Sequence, residues 1–517
     1  MSRRFPLSWL MAFVLIAGVI GVGAAVAESP DPRGADVVYI ATGTNFPDAL
    51  GAGPAAALGN GPILLVQTDA VPSQTTAELN RLKPRLIVIV GGTAVVSTSV
   101  ENTLKGLSFG PTVIRVSGSN RYATAAAISQ QAFPCGDGEV MAGRDRQGVV
   151  CRPALSGNWS THTVDSSGMV GEYTSLALDA FGNPVVSYYD VSNGDLKVAH
   201  CDDPVCWGGG ESIETVDPSA NNVGQFSSLA LDSSGFPVVS YYDATTGDLK
   251  LAHCNDANCT GGGESIQTVD SSANNVGQYS SLALDSSGFP VVSYYDATTG
   301  DLKLAHCNDA NCAGGGESIQ TVDSSANDVG LWTSLVLDAS GKPVVAYFDS
   351  TTDDLKLVHC DDVNCAPGGE SPKTVDSSGS VGAYTSLVLD ASGFPVISYA
   401  ATTIWDLKLA HCNDANCDGG NESIELVDGS GELVGLFSSL VLDAAGRPVI
   451  SHWSLTNYDL KLVSCNDANC AGGDETMISI DTADDVGKYS SMVLDVSGNP
   501  VIAYLDSTNF ELKVASF

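Results

Sequence analysis

A chain of 517 residues is long for one domain, and 55 Gly and 22 Pro with 44% apolar residues favour a turn-rich fold with packed cores. The formal charge of −37 is unevenly spread: residues 28–158 carry 10 Lys and Arg against 10 Asp and Glu, while residues 159–517 carry 11 against 50, a net of −39. So acidic a region repels polyanions, which excludes nucleic-acid binding and docking on anionic membranes.

Arg3 and Arg4, the apolar run Leu10 to Val22 and the small-residue site Ala25-Val26-Ala27 compose a secretory signal peptide, assigned to residues 1–27. The rival is an uncleaved anchor, but Gly18, Gly21 and Gly23 interrupt the apolar run and a cleavage motif follows it. No second stretch is long enough to span a bilayer. The expected location is therefore secreted, at the cell wall or cell surface, with no stable membrane anchor after cleavage.

Residues 35–133 alternate apolar runs with helix-like segments. The strands expected are Val37 to Ala41, Pro62 to Val66, Leu86 to Val90 and Val113 to Val116. The helices expected are Asp48 to Leu58, Ser73 to Leu82, Ser97 to Lys105 and Arg121 to Phe133, the third ended by Gly106. This alternation predicts an α/β module with a mostly parallel sheet. Its strands end in Gly43-Thr44-Asn45, Gln67-Thr68, Gly91-Gly92-Thr93 and Ser117-Gly118-Ser119-Asn120. These segments either present backbone N–H groups to an anion or are ordinary turns.

Four segments in order carry a resemblance: Ala41 to Leu50 (ATGTNFPDAL), Pro62 to Leu65 (PILL), Ile87 to Gly92 (IVIVGG) and Arg115 to Ala125 (RVSGSNRYATA). The module resembles the cell wall binding repeat 2 family of Gram-positive surface proteins. The resemblance implies non-covalent anchoring to an anionic cell-wall polymer and associates Pro62, Ile63, Leu64 and Leu65 with that anchoring. Arg121, with Tyr122 beside it, is the side chain expected to face a polymer phosphate or carboxylate, which a guanidinium grips bidentately. Capping its own helix is the other reading of Arg121. The family carries three tandem modules and this chain has one, so either a homotrimer assembles three, or anchoring is weak, or the module has another role.

Residues 134–158 lose periodicity and read as a linker, with Cys135 and Cys151 expected to pair as a loop disulfide.

Residues 159–517 repeat. Asp179, Asp232, Asp285, Asp338, Asp390, Asp443 and Asp495 close the first strand of successive units, at spacings of 53 or 52 residues. Each unit holds four strand candidates, the signature of a propeller blade. The region opens with a lone fourth-strand motif at 161–165 and ends after three strands of its seventh unit. A ring would complete the last blade with that strand and so hide two edges. The expected architecture is multidomain: an α/β module followed by an all-β seven-bladed propeller.

Twelve further cysteines fall in C-x4-C pairs: Cys201 with Cys206, Cys254 with Cys259, Cys307 with Cys312, Cys360 with Cys365, Cys412 with Cys417 and Cys465 with Cys470. His200, His253, His306, His359 and His411 precede the first Cys of five pairs, which brings zinc to mind. Each cluster offers three soft ligands at most, and the sixth has Ser464 instead of His, so hairpin disulfides without metal are expected. Asp and Asn clusters such as 255–258 and 270–275 suit calcium, the one cofactor candidate, but match no calcium-loop pattern and read as solvated turns.

Residues present in every blade are taken to serve the fold, so a site is sought where the repeats differ. Blade five carries Trp405; blade six carries His452 and Trp453 and, at Arg447, the one arginine of the region. If these four share a rim, they form a ligand site of the aromatic-and-polar kind that sugars or peptides favour; neutral drift of a repeat explains them equally. No nucleophile–base pair stands at motif spacing. The expected function is a surface binding protein, held by the module to wall polymer and displaying a propeller for glycan or protein recognition. The alternative is a secreted carbohydrate-active enzyme, a lyase or glycosidase, with its site on the propeller.

Overall fold

The computed structural model describes residues 37–42, 62–84, 86–117, 139–145, 148–153, 159–272, 275–325, 328–366, 371–473 and 475–517. The chain divides into two compact units that change over between Gly136 and Arg152. The signal segment, the helices expected at 48–58 and 121–133, Arg121, Tyr122 and Cys135, with its expected pairing to Cys151, lie outside the described residues and side chains.

In the first unit, β1 (Val37–Thr42), β2 (Ile63–Val66), α1 (Ser73–Leu82), β3 (Leu86–Val90), α2 (Thr98–Lys105) and β4 (Thr112–Val116) follow in order. The sheet order is β2-β1-β3-β4 and every pairing is parallel. Val38, Ile40, Leu64, Ile87 and Ile89 on one sheet face pack against Leu79 and Leu82 of α1 and Val100 and Leu104 of α2. Val37, Tyr39, Val88, Val90 and Val116 are buried on the other face, so the strands read as unbroken apolar runs. α2 begins one residue later than expected because Ser97, with extended backbone, is its N-cap. It ends at Gly106, whose N–H reaches Asn102 O at 3.1 Å. The stretch expected as an irregular linker contains β5 (Glu139–Asp145) paired with β6 (Gly148–Pro153); the β-branched Val149 and Val150 favour a ladder that charge and Gly content obscured.

The second unit is a seven-bladed propeller of four-stranded antiparallel sheets. Its inner strands are Val170–Leu178, Val223–Leu231, Val276–Leu284, Val329–Leu337, Val381–Leu389, Leu436–Leu442 and Val486–Leu494, for blades one to seven. Blade seven takes its outer strand from the start of the region: Ser160–Asp165 pairs with Glu511–Ser516, with Ser160 opposite Ser516 and Leu512 opposite Asp165. The ring thus closes on itself, and no sheet edge is left at the seam.

The apolar core lies between blades. Val185, Leu196 and Val198 of blade one pack with Val239, Tyr241 and Ala252 of blade two, and the pattern repeats around the ring. The second strand of blade one, Pro184–Asp190, is buried at every residue because a neighbouring sheet covers each face. Close packing explains one shared position of the repeat: a Cβ on Gly224 (φ +104) would fall 2.7 Å from Leu196 Cα of the preceding blade.

Two sets of contacts tie the repeats together, and a third braces single blades. Tyr241 Oη and Lys250 Nζ of blade two both donate to Asp217 Oδ2 of blade one, at 2.7 and 2.5 Å. The same Tyr–Lys–Asp contact recurs around the ring, with His452 in place of the tyrosine in blade six. His200 joins Asp179 of its own blade at 3.1 Å and Ala257 O of the next at 3.0 Å.

The third set is covalent and lies within each of blades one to six. Cys201 is bonded to Cys206, Cys254 to Cys259, Cys307 to Cys312, Cys360 to Cys365, Cys412 to Cys417 and Cys465 to Cys470, as the C-x4-C spacing predicts. The second cysteine of each pair takes left-handed backbone: Cys206, Cys259, Cys312, Cys365, Cys417 and Cys470 have φ between 49° and 54°. That turn brings the two Cα atoms of every pair to 5.0 or 5.1 Å, within the span a disulfide bridges. With both sulfurs engaged, the neighbouring histidines have no thiolate to share a metal with, and they serve blade-to-blade packing instead.

Candidate binding site at the propeller axis

Each inner strand carries a β-bulge near its start. In blade one, Glu172 pairs with Tyr189 and Ser175 with Ser187, leaving Tyr173 and Thr174 opposite Tyr188 alone. The bulged aromatic adopts left-handed backbone in all seven blades: Tyr173, Phe226, Tyr279, Trp332, Tyr384, Phe437 and Tyr489 have φ between 49° and 55°. Bulky residues avoid that region, at roughly 1–3 kcal/mol each, and keep it only where surrounding structure enforces it.

The seven rings form a closed circle. Neighbouring centroids lie 4.5 Å apart from Tyr173 to Phe226 and from Phe226 to Tyr279, then 5.4, 4.9, 4.6 and 4.6 Å, and 4.7 Å from Tyr489 back to Tyr173. Interplanar angles of 51° to 57° at six of the seven contacts are close to one-seventh of a full turn, so the planes stand along the axis. Rings this close cannot turn their faces inward without clashing; they stack like vanes, edges toward the centre.

A collar of hydroxyls lies beside the circle. Ser227 Oγ donates to Tyr173 O at 2.8 Å, Ser280 Oγ to Phe226 O at 2.8 Å and Ser490 Oγ to Phe437 O at 2.8 Å, with Thr174, Thr333, Thr385 and Ser438 completing the set. Rings and hydroxyls together line an axial cavity of about 180 Å³ that includes no charged side chain among the described residues. Burial, then the nearby Glu172 carboxylate, pushes the Tyr173 phenol up to about 12. Burial also raises Tyr279, Tyr384 and Tyr489, so the phenols keep their protons at physiological pH.

Part of the rim departs from sevenfold symmetry. The turn between second and third strands carries Gly194, Gly247 and Gly300 in blades one to three, all at positive φ. Blades five, six and seven place Trp405 (φ 59°), Tyr458 (φ 62°) and Phe510 (φ 57°) there. Tyr458 is 48% exposed and Phe510 42%. Each sits beside the start of the next inner strand: Val434 N donates to Trp405 O, Val486 N to Tyr458 O and Val170 N to Phe510 O. In blade five, Ala400 stands where other blades carry Tyr189 or Tyr242, and Trp405 and Trp453 pack into the space with Tyr384, Phe437 and Leu455. An aromatic path from Phe437 through Trp453 (6.2 Å) to Tyr458 (6.1 Å) therefore links the axial circle to the rim.

The four residues sought where repeats differ do not share one rim. Trp405 lies in the turn after a second strand. Arg447 lies in the turn after an inner strand, at the opposite end of its blade, and is bound to Asp443 at 2.7 Å. His452 is fully buried, hydrogen-bonded to Asp428 at 3.3 Å. Trp453 is 4% exposed, its Nε1 donating to Asp485 and its ring lying 4.6 Å from Lys488 Nζ. The reason is geometric: adjacent strands run antiparallel, and successive side chains point to opposite faces. The sequence reasoning missed the axial circle because it set aside whatever every blade shares. The signal was present as an aromatic recurring at spacings of 53 or 52 residues from Tyr173 to Tyr489.

In the first unit, Ile63 to Leu65 lie on β2, the edge strand of the sheet; Leu64 is buried in the core and Leu65 is 44% exposed. Residues 19–101 match the family model described as cell wall binding domain 2 (CWB2). The N-terminal unit therefore carries a region that matches cell wall binding domain 2. The match begins earlier and ends earlier than the span 35–133 inferred from periodicity. This region is similar to N-acetylmuramoyl-L-alanine amidase LytC of Bacillus subtilis (strain 168), at 35% identity over 96 residues, 19% of this chain and 19% of that protein. It is also similar to the amidase enhancer of the same organism, at 33% identity over 121 residues, 23% of this chain and 17% of the relative. Among solved structures it is similar to Cwp6 from Clostridium difficile, at 33% identity, covering 19% of this chain and 15% of that one, with a TM-score of 0.18. The chain thus spans about a fifth of the length of the curated relatives it matches. No helix among the described residues is long and apolar enough to cross a membrane.

Proposed function

We propose that this chain is an exported surface protein whose cell wall binding module holds it non-covalently to an anionic wall polymer while the propeller acts as the recognition domain. The match of residues 19–101 to cell wall binding domain 2 carries the reading. The signal-like residues 1–27 support export. A net of −39 on residues 159–517 makes the propeller a poor partner for the same anionic polymer, so wall attachment falls to the module. The axial cavity supports binding over hydrolysis, because no carboxylate pair of the kind glycoside cleavage ordinarily needs lines it among the described residues.

The test is sedimentation of the full-length protein with purified cell walls, before and after chemical removal of their anionic polymer. The protein is expected to pellet with intact walls and to stay in solution with stripped ones. Equal retention on both, or none on either, refutes the reading. Light scattering on the same sample decides whether a trimer assembles three modules.

A further inference from the structure

We propose that the axial aromatic circle and the aromatic rim of blades five to seven form one binding site for the end of a neutral oligosaccharide. The inference deepens the reading of the propeller as a recognition domain and rests on it. One sugar unit occupies the cavity at the axis, and the following units cross the rim over Trp405, Tyr458 and Phe510.

The ligand's charge follows from the lining. No ionised side chain among the described residues faces the cavity, and its phenols stay neutral, so a buried ionic group would find no counter-charge. The protein's −37 opposes anions at longer range. A cation would need ring faces within about 6 Å, and this circle turns its edges inward. A purely apolar group would leave four phenols facing hydrocarbon, although the collar hydroxyls already donate to backbone carbonyls. A sugar presents C–H groups to ring edges and hydroxyls to phenols, satisfying both kinds of lining.

Size and shape point to a chain end. A cavity of about 180 Å³ is below the range of roughly 300–1,000 Å³ that encloses drug-sized ligands, and fits a single ring-sized group. All seven blades surround it, so that group enters along the axis.

The rim supplies an independent observation. Three adjoining blades have given up glycine for an aromatic in left-handed backbone, and two of the three are nearly half exposed. Burial does not offset that strain at Tyr458 and Phe510, and strain of this kind clusters at ligand sites. Restoring glycine at Tyr458 and Phe510 should therefore leave the fold equally or more stable while removing a binding surface; Trp405 is left in place because it packs against Trp453.

The experiment is calorimetric titration of the full-length protein with neutral oligosaccharides of glucose, arabinose and N-acetylglucosamine, with oligogalacturonate, choline and an apolar peptide as comparison probes. Two variants are measured beside the wild type: a double variant combining Tyr458→Gly and Phe510→Gly, and the single variant Tyr279→Phe, which keeps the ring and removes one phenol. At least one neutral oligosaccharide should bind, about tenfold or more weakly to the double variant and severalfold more weakly to Tyr279→Phe, with no fall in Tm. Failure of every neutral oligosaccharide, equal binding by both variants, or preference for oligogalacturonate, choline or the peptide overturns the proposal. Wall sedimentation of the same variants should be unchanged. Loss of wall binding in the wild type with sugar binding intact defeats the anchoring reading and leaves this one standing.

Discussion

Lys197 Nζ lies 2.5 Å from Asp165 Oδ2, joining the third strand of blade one to the strand that completes blade seven. Tyr188 Oη donates to the same carboxylate oxygen at 2.7 Å, and Lys197 Nζ lies 5.6 Å from the Tyr188 ring centre. The seam of the ring is therefore held by the same contact that joins the other pairs of blades, save that His452 replaces the tyrosine between blades five and six.

Asp165→Ala should open that seam. It strands a buried ammonium and a buried hydroxyl, and breaking a buried pair from one side costs about 3–5 kcal/mol. Asp165→Leu with Lys197→Met should cost much less, because no charge is left unpaired. Denaturant unfolding of both variants checks this; equal losses would show that the pair itself carries the seam.

Acid should unfold the propeller cooperatively. Burial alone would raise Asp165, Asp217, Asp270, Asp323, Asp376 and Asp481, but the lysine and other hydrogen bonds at each outweigh it and hold these carboxyls below the usual range. A depressed carboxyl contributes stability above its unfolded value, about 3.9, that is lost as pH falls through the folded value. Thermal midpoints should hold roughly level from neutral pH to about pH 5 and fall steeply below about pH 4, with little dependence on salt because the pairs are buried.

His452→Tyr should stabilise blade six. His452 is fully buried with Nδ1 lacking a partner, and Asp428 accepts from it at 3.3 Å, against 2.6–2.7 Å for the tyrosines of other blades. Burial holds the imidazole below its ordinary value despite Asp428. A base so depressed costs stability as pH drops below its unfolded value near 6.5, since only the unfolded chain takes up the proton freely. The gain, on the order of 1 kcal/mol, should be larger at pH 5 than at pH 8. Unfolding curves at both pH values decide it.

Replacing Cys254 and Cys259 by alanine should lower stability by about 2 kcal/mol, as expected for so short a loop, and leave the blade folded. Circular dichroism and denaturant titration report the two parts separately.

Much of the fold was legible in the chain. Ser73–Leu82 and Leu86–Val90 begin and end where apolar periodicity places them, because one element length and one buried face define each. Seven blades followed from the spacing of one aspartate. The site was less legible. Four residues were grouped because blades five and six depart from the repeat and are neighbours, yet Arg447 lies at the far end of its blade and His452 is sealed inside. Residues one position apart on a strand face opposite ways, and no local pattern shows which face meets the axis.

Periodicity, turn residues and cysteine spacing thus determined the blade, the number of blades and the oxidised hairpins, because each is set within about fifty residues of chain. Only the tertiary structure decided that Tyr173, Phe226, Tyr279, Trp332, Tyr384, Phe437 and Tyr489 meet in one circle. That meeting depends on a bulge within each blade that turns its aromatic to the axis and on ring closure, which pairs residues 160–165 with residues 511–516.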